Sequence, residues 1–449
     1  MNRAPFRLES PEPAVRRGPR RAGARLRPPV YGPLAGVKVL DTGRVVAGPW
    51  AATLLGDLGA EVVHVEGPPF RYPYADPTRV LSPTLPESSP PEDRVSESWV
   101  QYGRNKLSLG LDISMPEGKR VLRDLLRWAD IWIDASRPGT FAQRGFPDAG
   151  VLRTNPRLVV VHVTGFGLTG RPEYLRRPSY DLVAQAFSGF LALQGEPEPK
   201  PPMRVSTALN DAVTGLGAAF AALAALHSSR RTGRGQVVDV AQYELSFLML
   251  ENMVLDYTLR GKVRERMGHA HPRLHPYELF RARDGWVVLA APTPVAWRKV
   301  RQLIPLPADP RWDDMAWRVA HRRKVNAPLA RFIRSRSVRE LERLGVRHDV
   351  AFAPILDIRE IARNPQYRAR EMLLSWEDPV LGRVRGAGVA PKFQRTPGGV
   401  WRGAPWLGQD NVTVLRSILR YPSSRLRLLR ERGVIGEAPP PRERGRSPA

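Results

Sequence analysis

The stretch VKVLDTGRVVAGPWAATLLGDLGAEVVHV, residues 37–65, predicts a strand, a helix and a second strand. The apolar runs Val37–Asp41 and Glu61–Val65 have the length of buried strands. Between them, apolar residues recur at helical spacing, at Ala51, Leu54, Leu55 and Leu58, and Gly59 is placed to end the helix. The stretch is therefore a β-α-β unit, the repeating element of parallel sheets.

Further apolar runs of strand length follow this unit. They are separated by helical segments and lie at Leu107–Ile113, Ile131–Ile133, Leu158–Val163 and Gln236–Val240. Because most of these runs are predominantly apolar, both faces of the sheet are expected to be covered. We predict an α/β fold with a doubly wound, Rossmann-like parallel sheet in a large domain.

A second, smaller domain is predicted from a hairpin signal. Arg283-Asp284-Gly285 separates the runs Tyr277–Ala282 and Trp286–Ala291, and Asp-Gly accommodates the positive φ of a tight turn. We assign residues 33–240 to the large domain, 241–259 to a linker helix, 260–375 to a small α+β domain and 376–436 to a segment that returns to the large domain.

Charge and composition limit the classes of function. The chain of 449 residues has a formal net charge of +26 and no cysteine, which excludes disulfides, thiolate metal sites and a cysteine nucleophile. Residues 1–30 and the region from Arg425 onward are rich in arginine and proline, and we predict disordered ends there, with 437–449 as the tail. These ends lack the interleaved aromatic residues of a nucleic-acid binder, so no specific nucleic-acid partner is predicted.

No uninterrupted apolar stretch approaches the roughly 20 residues that span a bilayer. The most apolar helical segment, Val213–His227, is predicted to be short, and it is followed by Ser-Ser-Arg-Arg. No apolar secretory signal precedes the first strand. We therefore expect a soluble, cytoplasmic protein without a membrane partner.

Two motifs resemble cofactor or metal sites but lack the required context. Gly165-Phe166-Gly167-Leu168-Thr169-Gly170 matches a dinucleotide fingerprint, yet Arg171-Pro172 continues it as a loop instead of a helix. We expect a glycine-lined loop beside a ligand there rather than a nicotinamide or flavin site. The histidines at 269, 271 and 275 have no suitably spaced further ligand, so no metal is predicted.

Two aspartates precede predicted helices. Asp181 and Asp211 suit the N-cap position, where aspartate is among the preferred residues. A helix N-terminus also favours the ionised carboxylate, so it is expected to lower the pKa and to present a nucleophile. The sequence leaves both interpretations open, and they are compatible.

A series of short motifs in one order carries a family resemblance over about residues 33–436. The motifs are PLAGVKVLD at 33–41, AGP at 47–49, LGAEV at 58–62, NK at 105–106, PEG at 116–118, RPG at 137–139, GFG at 165–167, YD at 180–181, TGRGQ at 232–236 and APWLG at 404–408. In this series the chain resembles the family III CoA-transferases, which include formyl-CoA transferase, carnitine CoA-transferase and α-methylacyl-CoA racemase.

The resemblance implies a reaction and an assembly. Asp211 matches the nucleophilic aspartate of the transferases, which passes CoA from an acyl-CoA to a small carboxylic acid through aspartyl anhydrides and an aspartyl-CoA thioester. CoA would be a substrate, with no permanently bound cofactor, and an interlocked homodimer is expected. The implied CoA-binding residues are Val45, Ala47, Arg104, Asn105, Lys106, Ala135, Arg137 and Arg144, with Lys106 and Arg104 as candidates for the phosphates.

Departures from the family pattern bear on the type of reaction. Tyr180 stands where the racemases have a histidine before the acid at Asp181, so the second base that racemisation needs is not supplied. Val46 replaces the glutamine of formyl-CoA transferase, which argues against oxalate or formate as substrate. Tyr180, Asp181 and Val46 are therefore supporting residues in a predicted transferase. A racemase or other isomerising enzyme and a non-catalytic CoA-binding protein are the alternatives.

Overall fold

A computed structural model describes residues 30–68, 76–80, 84–85 and 94–438. Of the disordered ends predicted at residues 1–30 and 437–449, residues 1–29 and 439–449 lie outside the described residues. The strands are β1 Lys38–Asp41, β2 Glu61–Glu66, β3 Thr84–Leu85, β4 Val95–Ser96, β5 Lys106–Gly110, β6 Ile131–Asp134, β7 Val159–Thr164, β8 Val237–Ala241, β9 Tyr277–Arg281, β10 Trp286–Ala290, β11 Ala351–Pro354, β12 Leu373–Asp378 and β13 Gly382–Ala387.

Helices connect most of these strands. They are α1 Ala47–Asp57, α2 Glu97–Tyr102, α3 Pro116–Trp128, α4 Thr140–Gln143, α5 Asp148–Thr154, α6 Pro172–Leu175, α7 Asp181–Phe187, α8 Leu209–Thr232, α9 Gln242–Phe247, α10 Met253–Arg260, α11 Pro294–Leu303, α12 Met315–Ala320, α13 Arg322–Arg334, α14 Val338–His348, α15 Ile358–Arg363, α16 Pro365–Ala369 and α17 Ser423–Glu431. A π-helical segment, Thr413–Ile418, precedes α17.

Six parallel strands form the main sheet, in the order β5-β2-β1-β6-β7-β8. The chain winds outward from β1 in one direction and then from β6 in the other, so the strand order reverses between β1 and β6. The predicted doubly wound fold is confirmed. In such sheets the crevice at the carboxyl ends of the strands at the reversal point is where ligands bind.

Both faces of the sheet are covered, as the continuous apolar runs predicted. Successive side chains of a strand point to opposite faces. Thus Leu40 and Trp132 belong to the core under α3, whereas Val39 and Ile133 belong to the core under α1 and α8. Apolar side chains therefore cover the sheet on both faces.

Helix α8 runs for 24 residues and extends beyond the apolar segment Val213–His227 at both ends. It is long and apolar enough by length and composition to cross a membrane. Half of its most apolar window is nevertheless buried inside the protein. A side chain at Gly215 would collide with Trp50, since a Cβ there would lie 2.7 Å from the indole, so small residues let α8 pack closely on α1. This is the packing of a core helix.

The chain after Arg425 is ordered as far as residue 438, so the predicted disordered end is wrong for this part. Leu429 of α17 and the following Val434 and Ile435 are buried in the core under α3. Leu429 is the buried residue of α17, Val434 and Ile435 follow the helix, and Arg427, Arg430 and Arg432 stay exposed.

Two compact units make up the described chain. The first contains residues up to 188, residues 207–249 and residues from 368 onward, and the second contains residues 189–206 and 250–367. In the second unit β9 and β10 form the predicted hairpin, and β11 pairs with β10 in a three-stranded antiparallel sheet. The segment proposed as one linker helix, 241–259, consists instead of α9, a single 3-10 turn and most of α10.

Candidate active site

A pocket of about 190 Å³ lies where the order of the sheet reverses. Its walls are the segments that follow β1, β6 and β7, at residues 44–48, 135–138 and 163–166, together with Leu175 and residues 177–180. Asp211 and Gln242 complete the lining. Among the residues that line the pocket, Asp211 is the only carboxylate and none is histidine.

Asp211 is buried in the first turn of α8. Its side chain is 8% exposed, and its Oδ1 accepts a hydrogen bond of 2.6 Å from Nε2 of Gln242. Burial and the negative charge of Asp181 raise the pKa of the Asp211 carboxyl to about 7, although Gln242 acts in the opposite direction. The expectation that the helix N-terminus lowers this pKa is therefore wrong, since desolvation and a like charge outweigh it.

Asp181 caps α8 although it belongs to α7. Its Oδ1 accepts the backbone N–H groups of Asn210 and Asp211 at 2.7 and 3.1 Å, and its Oδ2 accepts the side-chain amide of Gln185 at 2.6 Å. The expectation that each aspartate caps its own helix is wrong. The N-cap positions are Tyr180 and Ala208, and neither side chain makes a capping bond. Asp181 thus fixes the first turn that carries Asp211.

Tyr180 lines the pocket and is 67% exposed. It occupies the place where a racemase would need a histidine. With no histidine in the lining and one carboxylate, the pocket holds a single residue that can act as a base near neutral pH.

The β1–α1 loop forms another wall, and it contains the predicted residues Val45, Val46 and Ala47. Val45 has a φ of 69°, a conformation that is strained for a β-branched residue. Val46 is the N-cap of α1 and makes no side-chain capping bond. The first amide groups of an uncapped helix are donors available to an oxyanion or a phosphate.

Three exposed arginines border the pocket, Arg44, Arg137 and Arg177. Arg177 lies over the ring of Tyr174, 4.0 Å from its centroid. Within the described residues, neither Arg137 nor Arg177 forms an ion pair with a carboxylate. Of these three, only Arg137 is among the CoA-binding residues that the family resemblance implies, and no motif in the sequence pointed to Arg44 or Arg177.

Arg104, Asn105 and Lys106 lie in the interior, away from the pocket lining. Arg104 binds both carboxylate oxygens of Asp57, at 3.1 and 2.6 Å, and Asn105 donates to Asp57 at 2.7 Å. The ammonium group of Lys106 is 2.9 Å from Asp41. These donors are bound to buried carboxylates, and their expected contacts with CoA stay a prediction.

Of the last two predicted CoA-binding residues, Ala135 lines the pocket and Arg144 does not. Arg144 is exposed after α4, with its guanidinium 6.0 Å from the ring centroid of Phe141. Residues 137 and 144 lie on opposite sides of the short helix α4 in the sequence.

The glycine motif 165–170 forms part of the pocket wall. Phe166 lines the pocket and packs among the rings of Tyr174, Phe187 and Tyr243. The three histidines are in the second unit, where His275 and His269 face Glu278 at 2.8 and 3.5 Å. No group of three ligands suited to a metal occurs among the described residues.

Comparison with known proteins finds similar sequences and similar structures. The sequence model of CoA-transferase family III matches residues 34–411. The bile acid CoA-transferase BaiK of Clostridium scindens is 35% identical over 417 residues, which cover 90% of each protein. Among solved structures, a CAIB/BAIF family protein from Brucella suis is similar at 29% identity with a TM-score of 0.75, covering 86% of this chain and 100% of that one. Rv3272 from Mycobacterium tuberculosis is similar at 27% identity with a TM-score of 0.73, covering 86% and 99%.

Proposed function

Because the chain belongs to CoA-transferase family III, we propose that it moves CoA from an acyl-CoA donor to a carboxylic acid through Asp211. The observation that carries the proposal is the single carboxylate in a pocket at the reversal point of the sheet. A covalent route needs one nucleophile and no second base, and this is the arrangement of the pocket.

The proposed route begins at the thioester. An oxygen of ionised Asp211 attacks the acyl carbonyl carbon, a C–O bond forms, the C–S bond breaks, and CoA leaves as its thiolate. The thiolate then attacks Cγ of Asp211, which releases the donor acid as a carboxylate and leaves an aspartyl-CoA thioester. The acceptor carboxylate attacks the same Cγ and expels the thiolate, giving a second anhydride. Attack of the thiolate on the acceptor's acyl carbon forms the new acyl-CoA and restores Asp211, with no net proton transfer.

The pocket also offers groups that would bind CoA. The diphosphate and the 3′-phosphate of CoA are anions, and guanidinium groups without an internal carboxylate partner bind such groups well. Arg137 and Arg177 have this character and border the pocket. We propose that they bind phosphates of CoA, and that the uncapped first turn of α1 faces the reacting carbonyl.

The acceptor is proposed to be a monocarboxylic acid with an apolar body. Val163, Phe166 and Leu175 give the pocket an apolar wall. Bile acids belong in the substrate screen because the relative BaiK is named for them. Formate and oxalate serve as contrasting small acids, since Val46 lacks the amide group of a glutamine.

We also propose a homodimer. Large apolar side chains of the first unit are exposed, among them Leu216 and Phe220 of α8 and Leu248 and Met249 beyond α9, at 50–76% exposure. Soluble monomers rarely expose contiguous apolar surface of this kind. Light scattering on the purified protein is expected to give twice the chain mass, and Phe220→Glu should shift the protein toward the monomer. A fully active monomer would contradict the assembly.

The cytoplasmic location and the absence of nucleic-acid and membrane partners stay predictions.

The function is tested by incubating the protein with acyl-CoA donors and acids and separating the products. We expect equal amounts of a new acyl-CoA and the free donor acid, with ping-pong kinetics. Exchange of the α-proton without any acceptor would indicate racemisation instead. Binding of CoA without turnover for every pair would indicate a non-catalytic protein.

A further inference from the structure

Gln242 and Ser179 form a chain of hydrogen bonds that ends on Asp211, and the route above assigns neither residue a role. Ser179 Oγ lies 2.9 Å from Oε1 of Gln242, and Nε2 of Gln242 lies 2.6 Å from Oδ1 of Asp211. Gln242 is buried, and both residues line the pocket.

The fold places these groups with little freedom. Gln242 is the first residue of α9 and directly follows β8, so its backbone is fixed at the carboxyl end of the sheet. Ser246, one turn later in α9, donates to Asn210 beside Asp211 and ties α9 to α8. Gly165 makes room for Ser179, because a Cβ at residue 165 would lie 2.2 Å from the Cβ of Ser179. The glycine of the motif therefore has a steric function.

The donor and acceptor roles follow from chemistry. An ionised carboxylate only accepts hydrogen bonds, so the amide NH₂ of Gln242 must face Asp211. Its carbonyl oxygen then faces Ser179, whose hydroxyl can donate to it. Ser179 thus holds the amide in the orientation that presents a donor to Oδ1 of Asp211.

Oδ1 has a distinct role in the covalent cycle. If the other oxygen of Asp211, Oδ2, forms the bond to the acyl carbon, Oδ1 becomes the carbonyl oxygen of the anhydride and of the aspartyl-CoA thioester. Attack of the thiolate or of the acceptor carboxylate on Cγ then moves negative charge onto Oδ1. A donor already held at 2.6 Å from this oxygen stabilises that charge.

We propose that Gln242 is a catalytic residue that supplies the oxyanion donor for the two steps at Cγ of Asp211, and that Ser179 is the residue that positions it. The assignment rests on the proposed function of Asp211 as nucleophile. In this assignment Gln242 is the oxyanion donor for Cγ of Asp211, and any donor for the acyl carbon of the substrate is a different group.

The test compares Gln242→Met, which keeps the length of the side chain and removes the amide, with Ser179→Ala. In the exchange assay Gln242→Met should lower kcat about 100-fold, the usual effect of losing one oxyanion donor. The KM for acyl-CoA should change less than about twofold, because the donor acts on the transition state. Ser179→Ala should lower kcat about tenfold, and the double variant should resemble Gln242→Met alone, because the two residues act as one unit. Gln302→Met, at an exposed position of the second unit, is the matched control and should leave kcat unchanged.

A second measurement does not depend on turnover. In protein with ¹³C-labelled aspartate, the resonance that Asp211→Asn removes reports the protonation of this carboxyl. Gln242→Met should raise its pKa by about one unit, because a hydrogen bond to the charged form is lost. An unchanged pKa, an unchanged kcat or additive effects in the double variant would overturn the assignment. If no substrate pair is exchanged but the pKa moves as expected, the proposed function fails while the hydrogen-bonded positioning of Asp211 stands.

Discussion

Asp41 and Asp211 are both buried near the carboxyl edge of the same sheet, but their surroundings are opposite. Burial raises the pKa of Asp41, yet Lys106 at 2.9 Å and His64 at 2.9 Å bring it well below the usual range of an aspartate. Asp211 has an amide partner and a like charge nearby, and its pKa is raised to about 7. Asp41 is paired with the ammonium group of Lys106, whereas Asp211 forms no ion pair within the described part of the chain.

The difference distinguishes two kinds of buried carboxylate: Asp41 has a structural charge, paired inside the protein, and Asp211 has a reactive charge, available to a substrate. The charge of a buried cation is compensated by the carboxylate to which it is bound, whereas a carboxylate without a cation keeps its lone pairs available for reaction. On the function proposed above, the exposed arginines at the pocket bind the phosphates of CoA, while Arg104 and Lys106 are buried and paired with carboxylates.

The largest expected effect comes from removing the reactive charge. Asp211→Asn should lower exchange by more than about 1000-fold, because the nucleophile is lost. The same variant should melt several degrees higher at pH 8. The pKa of the Asp211 carboxyl in the folded protein, about 7, exceeds the ordinary 3.8. The stabilisation that the protonated carboxyl gives the wild type is therefore lost as pH rises through about 7. The asparagine amide does not ionise and avoids this loss.

Exchange rates and thermal melts at pH 8 measure both effects. Asp349→Asn is the matched control, since Asp349 is exposed and has a positive φ that asparagine tolerates. If Asp211→Asn retained exchange activity, or melted at a lower temperature than the wild type at pH 8, Asp211 would not differ from Asp41 in the way described.

Breaking the structural charge should affect stability. Arg104→Met leaves Asp57 buried without its cation and should lower the free energy of unfolding by about 3–5 kcal/mol. Urea denaturation measures the effect, and Arg339→Met, which removes an exposed arginine of the second unit, is the control. If Arg104→Met were as stable as the wild type and had a raised KM for acyl-CoA, Arg104 would have to be assigned to CoA binding instead.

A smaller effect is expected at the border of the pocket. Arg137→Met and Arg177→Met should each raise the KM for acyl-CoA about tenfold, while the melting temperature stays within about a degree. The increase should shrink at high salt, because exposed charges are screened. Steady-state kinetics at two salt concentrations measure it. An unchanged KM in both variants would show that CoA phosphates bind elsewhere.

The smallest effect concerns a cation that titrates. Burial opposes the charge of His162, but hydrogen bonds to Asp134 at 3.1 Å and Asp148 at 3.0 Å raise its pKa to about 9. The stabilisation is complete below pH 6.5 and is lost as pH rises through about 9, by about 1–2 kcal/mol after allowance for the exposure of Asp148. Denaturation at pH 7 and pH 9.5 should show this loss in wild type and not in His162→Gln. Equal losses in both would contradict the pairing.

The sequence was sufficient for the sheet and for the position of Asp211, because continuous apolar runs and helix signals depend on local pattern. It could not tell which buried acid Arg104 or Lys106 reaches, since those partners are 47 and 65 residues away. It also missed Gln242, although a polar residue directly after a parallel strand lies at the ligand-binding edge of the sheet. The raised pKa of Asp211 depends first on its burial and then on the charge of Asp181, which lies close because α7 packs on α8.

The most direct test of the central claim is chemical trapping of the covalent intermediate. The protein is incubated with an acyl-CoA in the absence of acceptor, treated with hydroxylamine and digested, and the peptides are analysed by mass spectrometry. We predict a hydroxamate at Asp211 that requires the acyl-CoA and is absent in Asp211→Asn. A hydroxamate at another carboxylate, or rapid CoA exchange with Asp211 unmodified, would contradict the account.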